Sequence, residues 1–366
     1  MALLEQRPEG LYCPAGNFHV DPWRPVERAV ITHAHADHAR WGSARYLVCE
    51  RGLAVFRTRL GAGAAIEAMP YGARRNVNGV SISFHPAGHI LGSAQVRIEY
   101  RGEVCVASGD YKTVADGTCT PFEPVQCHTF LTESTFALPI YRWRPEAEVI
   151  EQVHAWWRDN QNHGRTSLLL CYALGKAQRV LHGLDEGIGP IFTHGATERL
   201  VQDYRSAGVR MPETRSVMRV DKKFDWSRAL VVAPPSANGT PWMRRFGAVS
   251  TAFVSGWMQL RGARRRSNVD RGFVLSDHAD WPGLLDAIAA TGAEEILVTH
   301  GYTAALSRWL NEHGYRAGVL QTEYEGEALA MEAADNIATA PDTNPEHASD
   351  GAMTSAPAPP PGPGAP

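Results

Sequence analysis

The chain has 366 residues, 44% of them apolar, and a formal net charge of −3. That length supports two packed units with a large core. No run of about 18 apolar residues is present, which excludes a transmembrane helix, and the near-neutral balance means that any basic surface has to be local.

The first residues, from Met1 to Pro8, lack a basic segment followed by an apolar one, so no secretory signal is expected. The six cysteines (Cys13, Cys49, Cys105, Cys119, Cys127 and Cys171) contain no C-x-x-C pair and read as the reduced thiols of a cytoplasmic protein. Asn17, His19 and Asp21 lead into Pro22. A short apolar strand, Ala29-Val30-Ile31, then opens into Thr32-His33-Ala34-His35-Ala36-Asp37-His38. Four potential ligands directly after a buried strand are costly without a metal to pair them. Two imidazoles fanned one way and a carboxylate-imidazole pair fanned the other suit two adjacent ions of zinc-like character.

The segment from Arg51 to Leu60 reads as a helix. A strand over Val80–Phe84 runs into Ala87-Gly88-His89, where glycine allows a tight turn that brings the imidazole back toward the metals. Strands over Ala94–Tyr100 and Glu103–Ala107 flank Arg101-Gly102, a hairpin signal, and the second ends at Ser108-Gly109-Asp110. The two oxygens of Asp110 can bridge two cations. Thr129–Leu131 is a further strand, ending at Glu133. Short strands that end in polar ligand loops recur, which argues for a sheet whose ends line one site.

After Pro145 the texture changes. A helix over Glu146–Arg158, a strand over Ser167–Cys171, a helix opening at Ala173-Leu174-Gly175-Lys176, a strand over Pro190–Thr193, a helix over Thr197–Ser206 and a strand over Leu230–Ala233 alternate in βαβα rhythm. The pattern predicts a small parallel α/β domain inserted into the first. The first pattern returns with Gly272 to Asp280, including His278, then a helix over Trp281–Ala290, a strand over Glu295–Val298 closed by His300, and a helix over Ala304–His313. From Asn336 the chain turns to Ala, Pro, Thr, Gly and Ser, a composition that predicts a disordered tail, and its three acidic residues account for the whole net charge. His128, His154, His163, His182, His313 and His347 have no ligand context and read as surface or core, and structural roles are favoured for His19, His85 and His194.

The H-x-H-x-D-H run resembles the signature of the metallo-β-lactamase superfamily, and the order of motifs resembles its β-CASP branch, nucleases of DNA and RNA. Asp21, the run His33 to His38, His89 and Asp110 match four motifs of the superfamily. Glu133, His278 and His300 match the three that mark β-CASP. The resemblance implies an αββα sandwich with an inserted α/β cap: 1–145 and 269–335 as the sandwich, 146–268 as the cap, 336–366 as tail. It implies two divalent ions, Zn with Mn as the alternative. His33, His35 and His89 would hold one, Asp37, His38 and His300 the other, with Asp110 shared. Asp37, His278, Glu133 and Asp21 are the expected catalytic set, Asp21 acting by orienting ligands or water, and His278 and Glu133 by handling protons.

More narrowly, Gly10-Leu11-Tyr12-Cys13-Pro14 with Asp21-Pro22-Trp23 is similar to bacterial ligase-associated DNA exonucleases, often labelled mRNA 3′-end processing factors. That implies exonuclease action on DNA in repair, with an ATP-dependent ligase and a helicase as candidate partners. His300 pulls toward RNA, since RNA-processing members carry histidine at the last motif where eukaryotic DNA-repair members tend to carry valine. An RNA-processing nuclease is therefore the second reading. A thioester or lactam hydrolase and a non-catalytic scaffold are weaker, because the insert, Glu133, His278 and the intact ligand set argue against them. Gly175, Lys176 and Gln178 resemble the family's small-x-Gly-Arg/Lys-x-Gln segment, and their place at a helix start suits a phosphate. Arg261, Arg264, Arg265 and Arg266 form a basic run expected to hold substrate, and Trp257 is expected in the core more than on a base.

Overall fold

The computed structural model describes residues 3–221 and 223–323. The segment from 336, expected to be disordered, and His347 lie outside the described residues.

The chain begins with β1 (Glu5–Arg7), β2 (Gly10–Cys13), β3 (Phe18–Val20), β4 (Arg28–Val30) and β5 (Arg45–Cys49). Helix α1 (Leu53–Leu60) precedes β6 (Ile66–Met69), and these six strands form one sheet in sequence order. Several of these strands are only three or four residues long, too short for an alternating pattern to stand out in sequence. A second sheet starts with β7 (Arg74–Val77), β8 (Val80–Pro86), β9 (Ala94–Tyr100), β10 (Glu103–Ala107) and β11 (Thr129–Ser134). The β9–β10 hairpin turns on Arg101 at φ 53° and Gly102 at φ 86°, the left-handed pair that a two-residue loop requires.

The middle of the chain builds a third sheet. Its elements are α2 (Glu146–Asn162), β12 (Thr166–Leu170), α3 (Lys176–Gly183), β13 (Ile191–Thr193), α4 (Gly195–Ser206), β14 (Thr214–Ser216), β15 (Leu230–Ala233), β16 (Val249–Val254), α5 (Arg261–Arg266) and β17 (Arg271–Phe273). All six strands are parallel, in the order β14-β13-β15-β12-β16-β17. β17 pairs with β16, so the third sheet extends past position 268, where the sequence suggests that the first unit resumes. Three of the strands, β12, β13 and β15, are fully buried, as a parallel sheet covered on both faces demands. One face packs on Val149, Val153, Trp157, Val180 and Leu181 of α2 and α3, and the other on Trp226, Phe246 and Met258.

The chain then returns through α6 (Trp281–Thr291), β18 (Glu295–Gly301), α7 (Thr303–Glu312) and β19 (Arg316–Val319). β18 and β19 complete the second sheet, in the order β19-β18-β11-β10-β9-β8-β7. Sheets one and two face each other across Leu11, Phe18, Val20, Val30, Ile82, Phe84, Val96, Ile98 and Leu131. The outer face of the first sheet is covered by α1 and α4, and that of the second by α6 and α7. The result is an αββα sandwich with an α/β insert. No helix among the described residues is long and apolar enough to cross a membrane.

Candidate metal centre

The candidate ligands come from different strands that all end at one edge of the sandwich. Asp21 follows β3, the His33–His38 run follows β4, His89 follows β8, Asp110 follows β10, and Glu133 and His300 lie near the ends of β11 and β18. Two glycines fix the turns. Gly88 has φ 73°, and a Cβ there would meet the Lys112 carbonyl at 2.3 Å. Gly109 has φ 56°, and a Cβ there would meet the Thr32 side chain at 2.6 Å. Only glycine fits either position without displacing the neighbouring ligand.

Three imidazoles and a carboxylate form the first nest. His33 Nε2 lies 3.2 Å and His89 Nε2 3.1 Å from His35 Nδ1. Asp110 Oδ2 lies 3.5 Å from His33 Nε2 and 3.7 Å from His89 Nε2. The opposite side of each ring fixes its tautomer. His89 Nδ1 is 2.7 Å from the Asp277 carbonyl and His35 Nε2 is 3.1 Å from the Leu174 carbonyl, and a carbonyl can only accept. Thr32 Oγ1 donates to Asp21 Oδ2 at 2.5 Å, so at 3.0 Å it accepts from His33 Nδ1. The inward atoms His33 Nε2, His35 Nδ1 and His89 Nε2 are therefore lone pairs that face one another and a carboxylate oxygen. Arms of ~2.0–2.1 Å to a tetrahedral zinc ion place donor atoms ~3.3–3.4 Å apart, close to the separations observed. The donor set fits one such ion.

Asp110 turns its other oxygen to a second nest. Asp110 Oδ1 is 3.0 Å from His300 Nε2 and 3.8 Å from His38 Nε2, and His38 Nε2 is 3.8 Å from Asp37 Oδ2. Asp21 Oδ2 receives the His38 Nδ1 proton at 2.7 Å, and Asp21 Oδ1 accepts the Thr32 amide at 2.7 Å. Asp21 thus orients ligands of both nests. Thr299 Oγ1 donates to the Thr132 carbonyl and lies 3.2 Å from His300 Nδ1. This nest too fits a cation, with two imidazoles and two carboxylates as donors.

The electrostatics differ between the nests. Burial, with help from neighbouring histidines, holds His33 and His89 well below the ordinary imidazole range. Burial also works against charge on His38, but Asp37, Asp110 and Asp21 outweigh it and push it up to about 10. Asp110 is held well below the usual carboxylate range despite its burial, chiefly by His38 and His300. The first nest is a neutral nitrogen site and the second is carboxylate-rich.

His278 sits against both. Its ring centroid is 4.6 Å from that of His89, and its Nδ1 is 2.8 Å from Glu133 Oε2. Glu133 Oε1 accepts the Tyr111 amide at 2.7 Å. Donor atoms of Asp110, Glu133 and His278 all lie within 4.8 Å of one another, a grouping that could also hold an ion.

The phosphate expectation for the α3 turn is corrected by burial. Lys176 is fully buried, with Nζ 2.5 Å from Asp277 Oδ1. Gln178 is fully buried as well, accepting from the Gly175 amide at 2.7 Å and donating to the Ala173 carbonyl at 2.9 Å. Gly175, at φ 89°, packs against Ile90. These residues tie the insert to the loop carrying Asp277 and His278, and they offer no open face to a phosphate. Neither sequence spacing nor residue type signals that, because Asp277 approaches only through the tertiary fold. Arg179 extends the same contact, donating to the Ser276 carbonyl at 2.9 Å. Of the basic run, Arg261, Arg264, Arg265 and Arg266 are exposed, and Arg264 is tied by Nε to the Met258 carbonyl. Trp257 packs 4.8 Å from Phe136, which in turn lies 5.8 Å from His278. His19 lies against Tyr12, His85 beside Ser83, and His194 caps α4, all away from the two nests.

No family model matches the chain. A protein of Opitutus terrae named as a probable DNA ligase is 30% identical over 349 residues, which are 93% of this chain and 33% of that protein. Endoribonuclease YSH1 of Saccharomyces cerevisiae is 31% identical over 125 residues, 33% of this chain and 16% of that protein. Endoribonuclease ysh-1 of Neurospora crassa is 32% identical over 124 residues, 33% of this chain and 14% of that protein. The chain thus spans about a third of the first relative and a much smaller share of the endoribonucleases. A crystal structure of a protein of unknown function from Enterococcus faecalis V583 superposes with a TM-score of 0.54 at 10% identity, over 81% of this chain and 79% of that one, a likeness of fold. The relatives bear out the resemblance to the β-CASP branch of the metallo-β-lactamase superfamily.

Proposed function

We propose that this chain hydrolyses phosphodiester bonds of nucleic acid at a two-metal centre, acting as an exonuclease on DNA during repair. The observation that carries the reading is the placement of Asp110. One oxygen lies among His33, His35 and His89, and the other beside His38 and His300. A carboxylate so placed spans two cation sites in one centre. Two divalent ions bound there supply positive charge to the phosphate oxygens and lower the pKa of water. Zn suits the nitrogen-rich nest, with Mn the alternative for the carboxylate-rich one.

The chain's own residues do the rest. Asp21 holds His38 and, through Thr32, His33. Glu133 accepts from His278 Nδ1 and holds the ring, so that its doubly protonated form can give the Nε2 proton to the departing oxygen. The insert built on the third sheet serves as a cap over this edge. The exposed Arg261, Arg265 and Arg266 hold the backbone of the substrate.

The DNA reading is supported by the ligase-named relative, which matches nearly the whole chain. A ligase and a helicase are the proposed partners in a cytoplasmic repair reaction. The matches to endoribonucleases over a third of the chain, together with His300, favour RNA cleavage as the second reading. Metal-loaded protein given end-labelled DNA and RNA strands tests both. Stepwise loss of mononucleotides from DNA supports the first, and internal cuts in RNA support the second.

A further inference from the structure

A second charged cleft lies in the insert, outside the metal centre. It encloses about 720 Å³ between the first turns of α4 and the end of β14, and it is lined by Gly195, Glu198, Arg199, Arg215, Ser216 and Arg219 among others. The three arginines are exposed. Arg215 lies 3.0 Å from the exposed Glu213, a weak pairing in solvent. Arg199 and Arg219 have no carboxylate within ion-pair distance among the described residues. Glu198, one negative charge among three arginines, offsets them only in part, and its carboxylate is already engaged. It accepts from Thr193 and Thr214 on one oxygen and from Gln202 on the other, and it lies 3.6 Å from Arg205. The cleft is net positive.

Its position in the sheet relates it to the metal centre. β12, β15, β13 and β14 are parallel, and Leu169, Val232, Thr193 and Ser216 form one lateral row. From the end of β12 the chain goes directly to Leu174, whose carbonyl holds His35. From the ends of β13 and β14 it goes to the arginine cleft. Both sites therefore lie beyond the carboxyl ends of one parallel sheet, where open α/β sheets bind their ligands. Three strand steps of ~4.8 Å separate β12 from β14, roughly 14 Å. At the ~3.4 Å spacing of stacked nucleotides that is about four steps of a strand.

We infer that the Arg199–Arg215–Arg219 cleft binds the sugar-phosphate backbone of a single nucleic-acid strand, several nucleotides away from the phosphate held at the metal centre. The strand runs along the carboxyl edge of the third sheet. The inference rests on the nucleic-acid reading above for its ligand and adds to that reading a second, remote contact. It makes binding depend on substrate length.

The test uses the metal-loaded full chain and a fluorescently labelled oligothymidylate of about 12 nucleotides with phosphorothioate linkages to resist cleavage, within the length one binding module covers. Anisotropy against salt gives the affinity and its slope. Replacing both Arg199→Gln and Arg219→Gln should weaken the 12-mer by about tenfold and lower the slope by about 1.4, two phosphate contacts at ~0.7 each. A dithymidine monophosphate competitor, too short to reach the cleft, should bind both proteins alike. The charge-keeping pair Arg199→Lys and Arg219→Lys should retain most of the slope. An unchanged 12-mer affinity and slope in the glutamine variant overturns the inference, as does an equal loss for the dinucleotide. The two readings fail separately. A wild type that cleaves no nucleic acid but binds the 12-mer through these arginines removes the catalytic reading alone, and a wild type that digests DNA with binding indifferent to the arginines removes the cleft alone.

Discussion

His278 Nδ1 stands 2.8 Å from Glu133 Oε2, a contact between residues 145 positions apart and one strand-end from Asp110. A carboxylate on Nδ1 steadies the doubly protonated histidine, the form that can give up a proton from Nε2. His278→Ala should therefore lose about 10²–10⁴-fold in rate, the usual share of a positioned acid, with both ions and most substrate affinity retained. A nitrophenyl phosphodiester, which needs little help in leaving, should lose much less. Glu133→Gln should show the same selectivity in milder form. If metal analysis finds an ion missing from His278→Ala, the histidine is a ligand and the Asp110–Glu133–His278 grouping is the correct reading.

Asp21 holds ligands of both candidate sites. It takes the Thr32 amide, the Thr32 hydroxyl and the His38 ring proton. In Asp21→Asn, one oxygen is lost and an amide donor can face a donor. Affinity for the ion at His38 should fall by about 10–100-fold, the usual cost of losing an outer partner. The His33–His35–His89 ion should be held more nearly as before. Equilibrium dialysis against a graded chelator reads the two separately, and equal weakening of both would assign Asp21 to the fold at large.

The Lys176–Asp277 pair is buried on both sides. Lys176→Met takes from the buried carboxylate its nearest cation, which should cost about 3–5 kcal/mol in denaturant unfolding. Burial opposes ionisation of Asp277, but Lys176, with His89 and His278, holds it well below the usual carboxylate range. A carboxyl depressed in the folded state contributes stability above its unfolded value of ~3.9 and loses it as the pH falls through the folded one. The wild type should therefore lose more stability than Lys176→Met on acidification below about pH 4. Parallel pH profiles would show that the pair does not carry this stability.

Gly88 tests the turn that delivers His89. Its φ is 73°, and a Cβ would stand 2.3 Å from the Lys112 carbonyl. Gly88→Ala should lower the thermal midpoint and weaken the first ion together, since the same backbone shift moves His89. A variant with wild-type metal affinity would show that the loop adapts.

The sequence exposes the centre to the extent that its ligands are local. His33, His35, Asp37 and His38 occupy six consecutive positions after one apolar strand, and the glycines at 88 and 109 mark the turns before His89 and Asp110. Lys176 is misread because its type and its place at a helix start suit a phosphate, while its partner Asp277 is a hundred residues away in sequence. The arginine cleft is unreadable for a similar reason. Arg199, Arg215 and Arg219 come from a helix, a strand and the turn after it, and only the parallel pairing of β13 with β14 brings them together. The shortest strands, such as β1 and β3, are set by pairing with neighbours more than by their own pattern.

The central claim is that Asp110 joins two cation sites at which a phosphodiester would be cut. The most direct measurement is a digest of strands labelled at both ends, DNA and RNA in parallel, by metal-loaded wild type and by Asp110→Ala, with metal content determined on the same samples. The account predicts up to two ions per wild-type chain, shortening of DNA faster than RNA, and neither full metal content nor cleavage in Asp110→Ala. Intact DNA and RNA after treatment with a folded, fully metal-loaded wild type, or equal cleavage by Asp110→Ala, would contradict it.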